Sequence, residues 1–371
     1  MRDRYFVAKL ALTEFRNHAF RAMRLSGAPV VIFGENGAGK TNILEAVSLL
    51  APGRGLRGSP PADLRRTGAV GEWGVAATIR TDEGDEARVG TGGRGAATGR
   101  AIHIDGKETP KQADLLDCAR ILWYAPAMQH RLSGGASERR QWLDRLAATY
   151  VPDHERKVRG YDYYARERLR LLTSGRAPDE GWLGVLEKEM AARAVAVAEG
   201  RVACVKRLTA AMEEKNSAFP RADLCANGET EAALASERRS PEEAAHALRA
   251  RFRDDREEDG RSGRTRSGAQ RGDFTIRYAQ KNAVFDLCST GEQKALLLSV
   301  LLAHMRALAE GVGVTPVLLL DEAFSHLDAG RRMALCEELG EMGAQCWLTG
   351  ADREAFFMLE GKADFFGLDL L

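Results

Sequence analysis

The stretch VVIFGENGAGKTNILEAVSLL, Val30 to Leu50, restricts the fold more than any other part of the chain. A short apolar run stops at a glycine-rich turn, and a helical pattern starts directly after it. The turn supplies Gly34, Glu35, Asn36, Gly37, Ala38, Gly39, Lys40 and Thr41, matching G-x-x-x-x-G-K-[ST] at every fixed position. Its glycines let the backbone turn tightly, so that successive N–H groups and the N-terminus of the following helix face phosphate oxygens. Lys40 is placed to reach terminal phosphates, and the Thr41 hydroxyl to bind Mg²⁺.

A matching acidic strand lies far downstream, in PVLLLDEAFSHLD, Pro316 to Asp328. The apolar run leads to Asp321, whose carboxylate would hold Mg²⁺ directly or through water. Glu322 follows, placed to polarise an attacking water. Alone, this run also has a reading as a buried strand ending in two solvated acids; beside a complete phosphate loop it points to ATP and Mg²⁺.

Two stretches compete for the signature loop of an ATP-binding-cassette ATPase: LSGGASERR, Leu132 to Arg140, and CSTGEQKALLL, Cys288 to Leu298. Ser289 precedes Asp321 by 32 residues, which leaves room for one helix and a short loop. The helix after it, ALLLSVLLAHM, is apolar nearly all round, as a buried helix of an ATPase head is. Ser133 is instead followed by a charged amphipathic segment. Position therefore selects Ser289 and Gly291. Ser289 and Glu292 also fit an S-x-x-E capping box, and a capped helix start is what would face a γ-phosphate. That phosphate would belong to a second subunit, so an ATP-dependent homodimer is expected.

The flanks of these motifs are α/β in texture. The first 125 residues alternate strands, turns and one strong helix, followed by short hairpin signals with Asp105-Gly106 as a tight turn. From about Ala136 to Gly260 the pattern is helical, and Gly260 to Asp273 reads as a Gly/Arg/Ser loop. Val158, Tyr161, Ala165, Leu169 and Leu172 form one stripe, Leu183, Leu186, Met190, Ala194 and Val197 another, and Ser240-Pro241-Glu242-Glu243 a capped start. The expected architecture is an α/β, ABC-type (P-loop) ATPase head from residues 1–125 and 270–371, with residues 126–269 as an inserted α-helical, short coiled-coil-like lobe. The stripes run a few turns each, without sustained heptads. Formal net charge is +1 over 371 residues, so any nucleic-acid surface must be a local patch. The N-terminus does not read as a signal peptide, and no apolar run approaches a span of roughly 20 residues. Six cysteines without a C-x-x-C pair argue against zinc and for reduced thiols in a cytoplasmic protein.

Several stretches resemble the RecF family of bacterial recombination-repair ATPases, whose heads are similar to those of Rad50 and SMC proteins. They are EFRNH at Glu14–His18, the phosphate loop with its TNILEA helix, WYAPAMQHRLSGGASERRQWLDRL, STGEQKALL and LLLDEAFSHLDAGRR. The resemblance implies that Arg16 and Asn17 lie near the nucleotide, and that Gln129 sits in a loop sensing the metal or γ-phosphate. It makes Ser325–Asp328 a dimer-crossing turn, and the LSGG of Leu132–Gly135 a coincidence on the way into the lobe. It also implies RecR and RecO as partners. One loop departs: GAQRGD, Gly268 to Asp273, stands where the family carries Gly-Pro-His-Arg-Asp-Asp. In cassette transporters a histidine follows the acidic strand; here, after CWLTG, the chain offers Thr349 and Asp352 instead.

For DNA, candidate contacts are Arg131, Arg139, Arg140, Arg264 and Arg266, beside Arg145 and a helical run that includes Arg156, Arg159, Arg166, Arg168, Arg170 and Arg176. Such contacts would be to phosphates, salt-sensitive and indifferent to sequence. A solvated helix face accounts for the same charges. The leading function is an ATP-driven DNA clamp in recombination repair, loading recombinase at gaps. The alternatives are a transporter ATPase subunit, which needs only a short helical insertion, and a DNA clamp with negligible turnover.

Overall fold

The computed structural model describes residues 3–95, 99–151, 153–175, 179–215, 217–325 and 327–369. Arg176 and His326 lie outside the described residues. The chain forms two compact units, one from Met1–Met128, Ser217–Phe219 and Leu297–Leu371, the other from Gln129–Asn216 and Pro220–Leu296.

The first unit holds two sheets. One is five-stranded and parallel throughout, ordered Asp364–Leu368, Val30–Gly34, Cys346–Gly350, Val317–Leu320, Ile121–Tyr124. Val317–Leu320 and Ile121–Tyr124 are buried at every position, as strands covered on both faces are. The other sheet is mainly antiparallel, built on the long strand Asp3–Phe15, which pairs with His18–Arg24 and Gly74–Thr81. Gly74–Thr81 alternates buried and accessible positions, the period-two pattern of a sheet with one covered face. Asp105 and Gly106 form the two-residue turn between Ala101–Ile104 and Lys107–Glu108, with φ of 50° and 80°. Asp-Gly is suited to such a turn because both positions need positive φ.

Gln345 joins the two sheets. Fully buried, it accepts from Val7 N–H at 2.9 Å and donates to the Val7 carbonyl at 3.0 Å. Its own carbonyl accepts from Leu318 N–H at 3.0 Å. A β-bulge sits at this point of the long strand, between Val7 and Lys9.

The second unit is organised around one helix of 34 residues, Glu180–Glu213. The sequence stripes suggested pieces of a few turns; here they merge, because no glycine or proline signal strong enough to stop them intervenes before Glu214. Helices His154–Leu172 and Pro241–Asp254 pack on it around Tyr161, Met190, Ala194, Val197, Leu248 and Phe252. The capping box at Ser240 and Glu243 forms in full. The antiparallel strands Ala222–Asn227 and Asp273–Tyr278 complete the unit. This pairing moves the division between units from the expected residue 270 to Leu296/Leu297. Among the described residues no helix is long and apolar enough to cross a membrane.

Candidate active site

Three neighbouring parallel strands end at the site: Val30–Gly34, Cys346–Gly350 and Val317–Leu320. The carboxyl ends of such strands are where open α/β sheets bind ligands. Gly34 opens the phosphate loop, and helix Lys40–Ser48 follows it. Gly39 has φ 97°, and a Cβ there would lie 2.6 Å from both polar atoms of the Asn17 side chain. The loop is thus shaped around Asn17, whose amide nitrogen lies 3.5 Å from the Gly37 carbonyl and whose oxygen accepts from Asn42 at 2.7 Å. His18, buried beside it, has Nε2 3.3 Å from the Gly39 carbonyl. Burial lowers its pKa, which keeps the ring neutral next to the loop. Lys40 Nζ donates to the carbonyls of Gly34 at 2.6 Å and Glu35 at 2.9 Å, crossing the turn.

Arg16 braces the helix behind the loop. Its guanidinium makes two bonds to Glu45, at 2.8 and 2.7 Å, and one to the Asp63 carbonyl at 2.8 Å. Glu45 is fully buried and also accepts from Arg57 at 2.9 Å; Arg57 in turn donates to Asn42. The sequence had marked Arg16 and Asn17 but not Glu45. Its signal was an acid on the buried side of the phosphate-loop helix, which needs partners.

Thr41 and Asp321 meet across the site, with the Thr41 hydroxyl 2.9 and 3.1 Å from the two carboxylate oxygens. Thr349 donates to Asp321 Oδ1 at 2.8 Å. Burial raises the Asp321 pKa, and the two hydroxyl bonds oppose the shift. A hydroxyl and one carboxylate are hard oxygen donors suited to Mg²⁺, which takes one or two carboxylates and fills its shell with water and phosphate oxygens. Among the described residues no cluster of three or more His, Cys, Asp or Glu competes as a metal site.

Glu322 has φ 49° and an exposed side chain. It lines a cavity of about 290 Å³ with Asn36, Ser325, Arg332, Thr349 and Asp352. Beneath the cavity Phe324 and Phe356 stack at 5.0 Å. Asp328 caps helix Ala329–Glu341 by accepting from Arg331 N–H at 2.8 Å.

Within the second unit, Ser289 N–H donates to Glu292 at 2.8 Å and Glu292 N–H to Ser289 Oγ at 3.4 Å, so the capping box expected at the start of helix Thr290–Gly311 is present. Bonds from Lys281 and from the Ser289 backbone draw the Glu292 pKa down to about 2. Gln129 was expected in a loop. It lies in helix Ala127–Gly134 and donates to the Thr290 carbonyl at 2.8 Å, beside Ser289 and Gly291. Leu132–Gly134 end that same helix, with Leu132 buried, and Gly135 precedes the next one, Ala136–Ala148.

The arginines assigned to DNA differ in their surroundings. Arg139 pairs with both oxygens of Asp273, at 2.8 and 2.9 Å. Arg140 donates to the Gly272 carbonyl at 2.7 Å. These two bind the GAQRGD loop, where Gln270 also donates to the carbonyls of Thr265 and Ser267. Arg168 is fully buried among Glu187, Asp259 and the Phe252 carbonyl, so it is no part of a basic surface. Burial also lowers the Arg145 pKa, to about 10. Arg264 and Arg266 are exposed, and Arg131 is half-buried.

Fold and site together define a cassette-type ATPase head, and the model of the RecF/RecN/SMC N terminal domain matches residues 6–360. Within that class the chain belongs to the RecF family. It is 42% identical to the DNA replication and repair protein RecF of Mesorhizobium japonicum, over 98% of this chain and 96% of that one. RecF of Brucella suis is also 42% identical, over 99% of this chain and 95% of that one. A solved structure described as the recombination mediator protein RecF-ATP in the RecFOR pathway superposes with a TM-score of 0.83 at 21% identity, covering 94% of this chain and 92% of that one. The Smc head domain of Pyrococcus furiosus follows at 0.55 and 16%, covering 99% and 94%. At these identities the structures speak for the fold.

Proposed function

We propose that the chain is a recombination-repair ATPase in which ATP joins two copies around DNA and hydrolysis releases it. The observation that carries the chemistry is the approach of the Thr41 hydroxyl to the Asp321 carboxylate at the mouth of a complete phosphate loop. In this reading, N–H groups from Gly34 to Thr41 bind the phosphates of ATP, and Lys40 turns from the loop carbonyls to the terminal phosphates. Arg16 acts behind the loop, through Glu45, and Asn17 sets its shape. Bound Mg²⁺, held by Thr41 and Asp321, would neutralise charge on the β- and γ-phosphate oxygens. Glu322 orients the attacking water and takes its proton. Ser289 and Gly291 complete the site of a second copy, their capped helix start facing its γ-phosphate, and Gln129 supports that segment from behind.

DNA is held through its phosphates in a structure-selective way, with exposed Arg264 and Arg266 as first contacts and Arg131 beside them. Arg139 and Arg140 shape the loop that carries such contacts. Turnover is slow and stimulated by DNA. RecR and RecO are the expected protein partners, recombinase loading at gaps the output, and the cytoplasm the compartment. The test is Glu322→Gln, which should bind ATP, form dimers and remain on gapped DNA; a variant that releases DNA as fast as the parent refutes the reading.

A further inference from the structure

We propose that Thr349 is a positioning residue for hydrolysis, its single hydroxyl fixing Asp321 and Glu322 relative to each other. The inference rests on the roles given to those two acids above. Thr349 is 1% exposed, at the end of strand Cys346–Gly350 and beside Asp321 on the neighbouring strand. Its Oγ1 accepts from Glu322 N–H at 2.9 Å and lies 2.8 Å from Asp321 Oδ1.

The hydroxyl has one proton, and an ionised carboxylate only accepts. The proton therefore points to Asp321, which leaves a lone pair for the Glu322 N–H. Glu322 sits at φ 49°, in the left-handed region that L-residues rarely adopt. A tethered N–H keeps the peptide in that conformation and aims the side chain at the cavity beside Asn36. The turn is closed on its other side by Ser325, whose N–H and hydroxyl both reach the Glu322 carbonyl, at 3.2 and 2.7 Å.

Packing leaves Thr349 little room to adjust. A Cβ at the next residue, Gly350, would lie 2.6 Å from the Phe356 ring, so that ring presses on the strand end. Cation ligand and catalytic base thus share one support. Thr41 also bonds Asp321, but from the phosphate-loop side.

The test compares Thr349→Val, which keeps the shape and removes the hydroxyl, with Thr349→Ser, which keeps the hydroxyl. Single-turnover hydrolysis, nucleotide affinity and thermal midpoint are measured on the full chain with gapped DNA. The valine variant should hydrolyse about 10- to 100-fold more slowly, the usual cost of losing an outer-shell partner. Its nucleotide affinity should stay within about threefold, and serine should restore the rate. Thr349→Ala carries the same expectation should the valine variant not fold. Valine hydrolysing at the parent rate overturns the inference and leaves the ATPase reading standing. Rate and affinity falling together, unrescued by serine, also overturns it. A parent protein without turnover at saturating ATP, Mg²⁺ and DNA overturns both.

Discussion

Gly39→Ala is the sharpest probe of the phosphate loop. The new Cβ would meet Asn17 at 2.6 Å and His18 Nε2 at 2.8 Å, at a residue with φ 97°. Holding alanine in a left-handed conformation costs about 1–2 kcal/mol. Asn17 must also move, and its bond from Asn42, 2.7 Å long, is lost. A neutral hydrogen bond is worth about 0.5–1.5 kcal/mol net. Together these come to about 1.5–3.5 kcal/mol, felt in the loop conformation that receives phosphate. At tenfold per 1.4 kcal/mol, ATP affinity should fall by about 10- to 300-fold. Isothermal titration with a slowly hydrolysed ATP analogue and Mg²⁺ measures this directly. The pair Gly39→Ala, Asn17→Ala separates the components, because without the Asn17 side chain only the backbone strain and the approach to His18 remain. The double variant should therefore bind more tightly than the two single losses added together predict. An alanine variant binding within twofold of the parent would refute the reasoning, since it would mean that neither the turn nor its fit to Asn17 governs binding.

Other outcomes follow from single contacts. Glu322→Gln should slow hydrolysis by about 10²- to 10⁴-fold while leaving ATP binding intact, read by phosphate release against titration. Arg168→Met leaves Asp259 without its buried arginine and should destabilise the second unit by about 3–5 kcal/mol in urea denaturation. Asp144 is held below its ordinary pKa: burial alone would raise it, and the bonds from Arg201 and His154 more than reverse that. A carboxylate with a depressed pKa contributes stability above its unfolded value and loses it as pH falls. Asp144→Asn should thus cost stability at neutral pH, with the deficit closing as pH drops below about 4, measured by denaturation across that range.

The parts of the site that were legible in sequence are those where backbone geometry or charge admits few residues. Gly39 can be little else between Asn17 and His18, and Asp321 ends an apolar strand where only a functional acid is tolerated. Asp105-Gly106 and the Ser240 capping box were legible for the same local reason. Long-range pairing was not. Arg139 meets Asp273 across 134 residues, so a charge that reads as a free cation turns out to hold a loop. Arg168 sits in an amphipathic run as one more basic residue, and Glu187, Asp259 and the Phe252 carbonyl from other helices draw it inside. Thr349 showed itself only as what stands where a histidine does elsewhere; a lone threonine carries no spacing that reveals two partners. The GAQRGD loop, although changed from the family pattern, keeps Asp273 for Arg139 and places Gly272 under Arg140.

The central claim is that two copies close around ATP, and the mass of the Glu322→Gln protein in solution tests it most directly. With saturating ATP, Mg²⁺ and gapped duplex DNA, sedimentation should show twice the chain mass bound to DNA, reverting to single chains when ADP replaces ATP. Single chains throughout, at full nucleotide occupancy, would contradict the account.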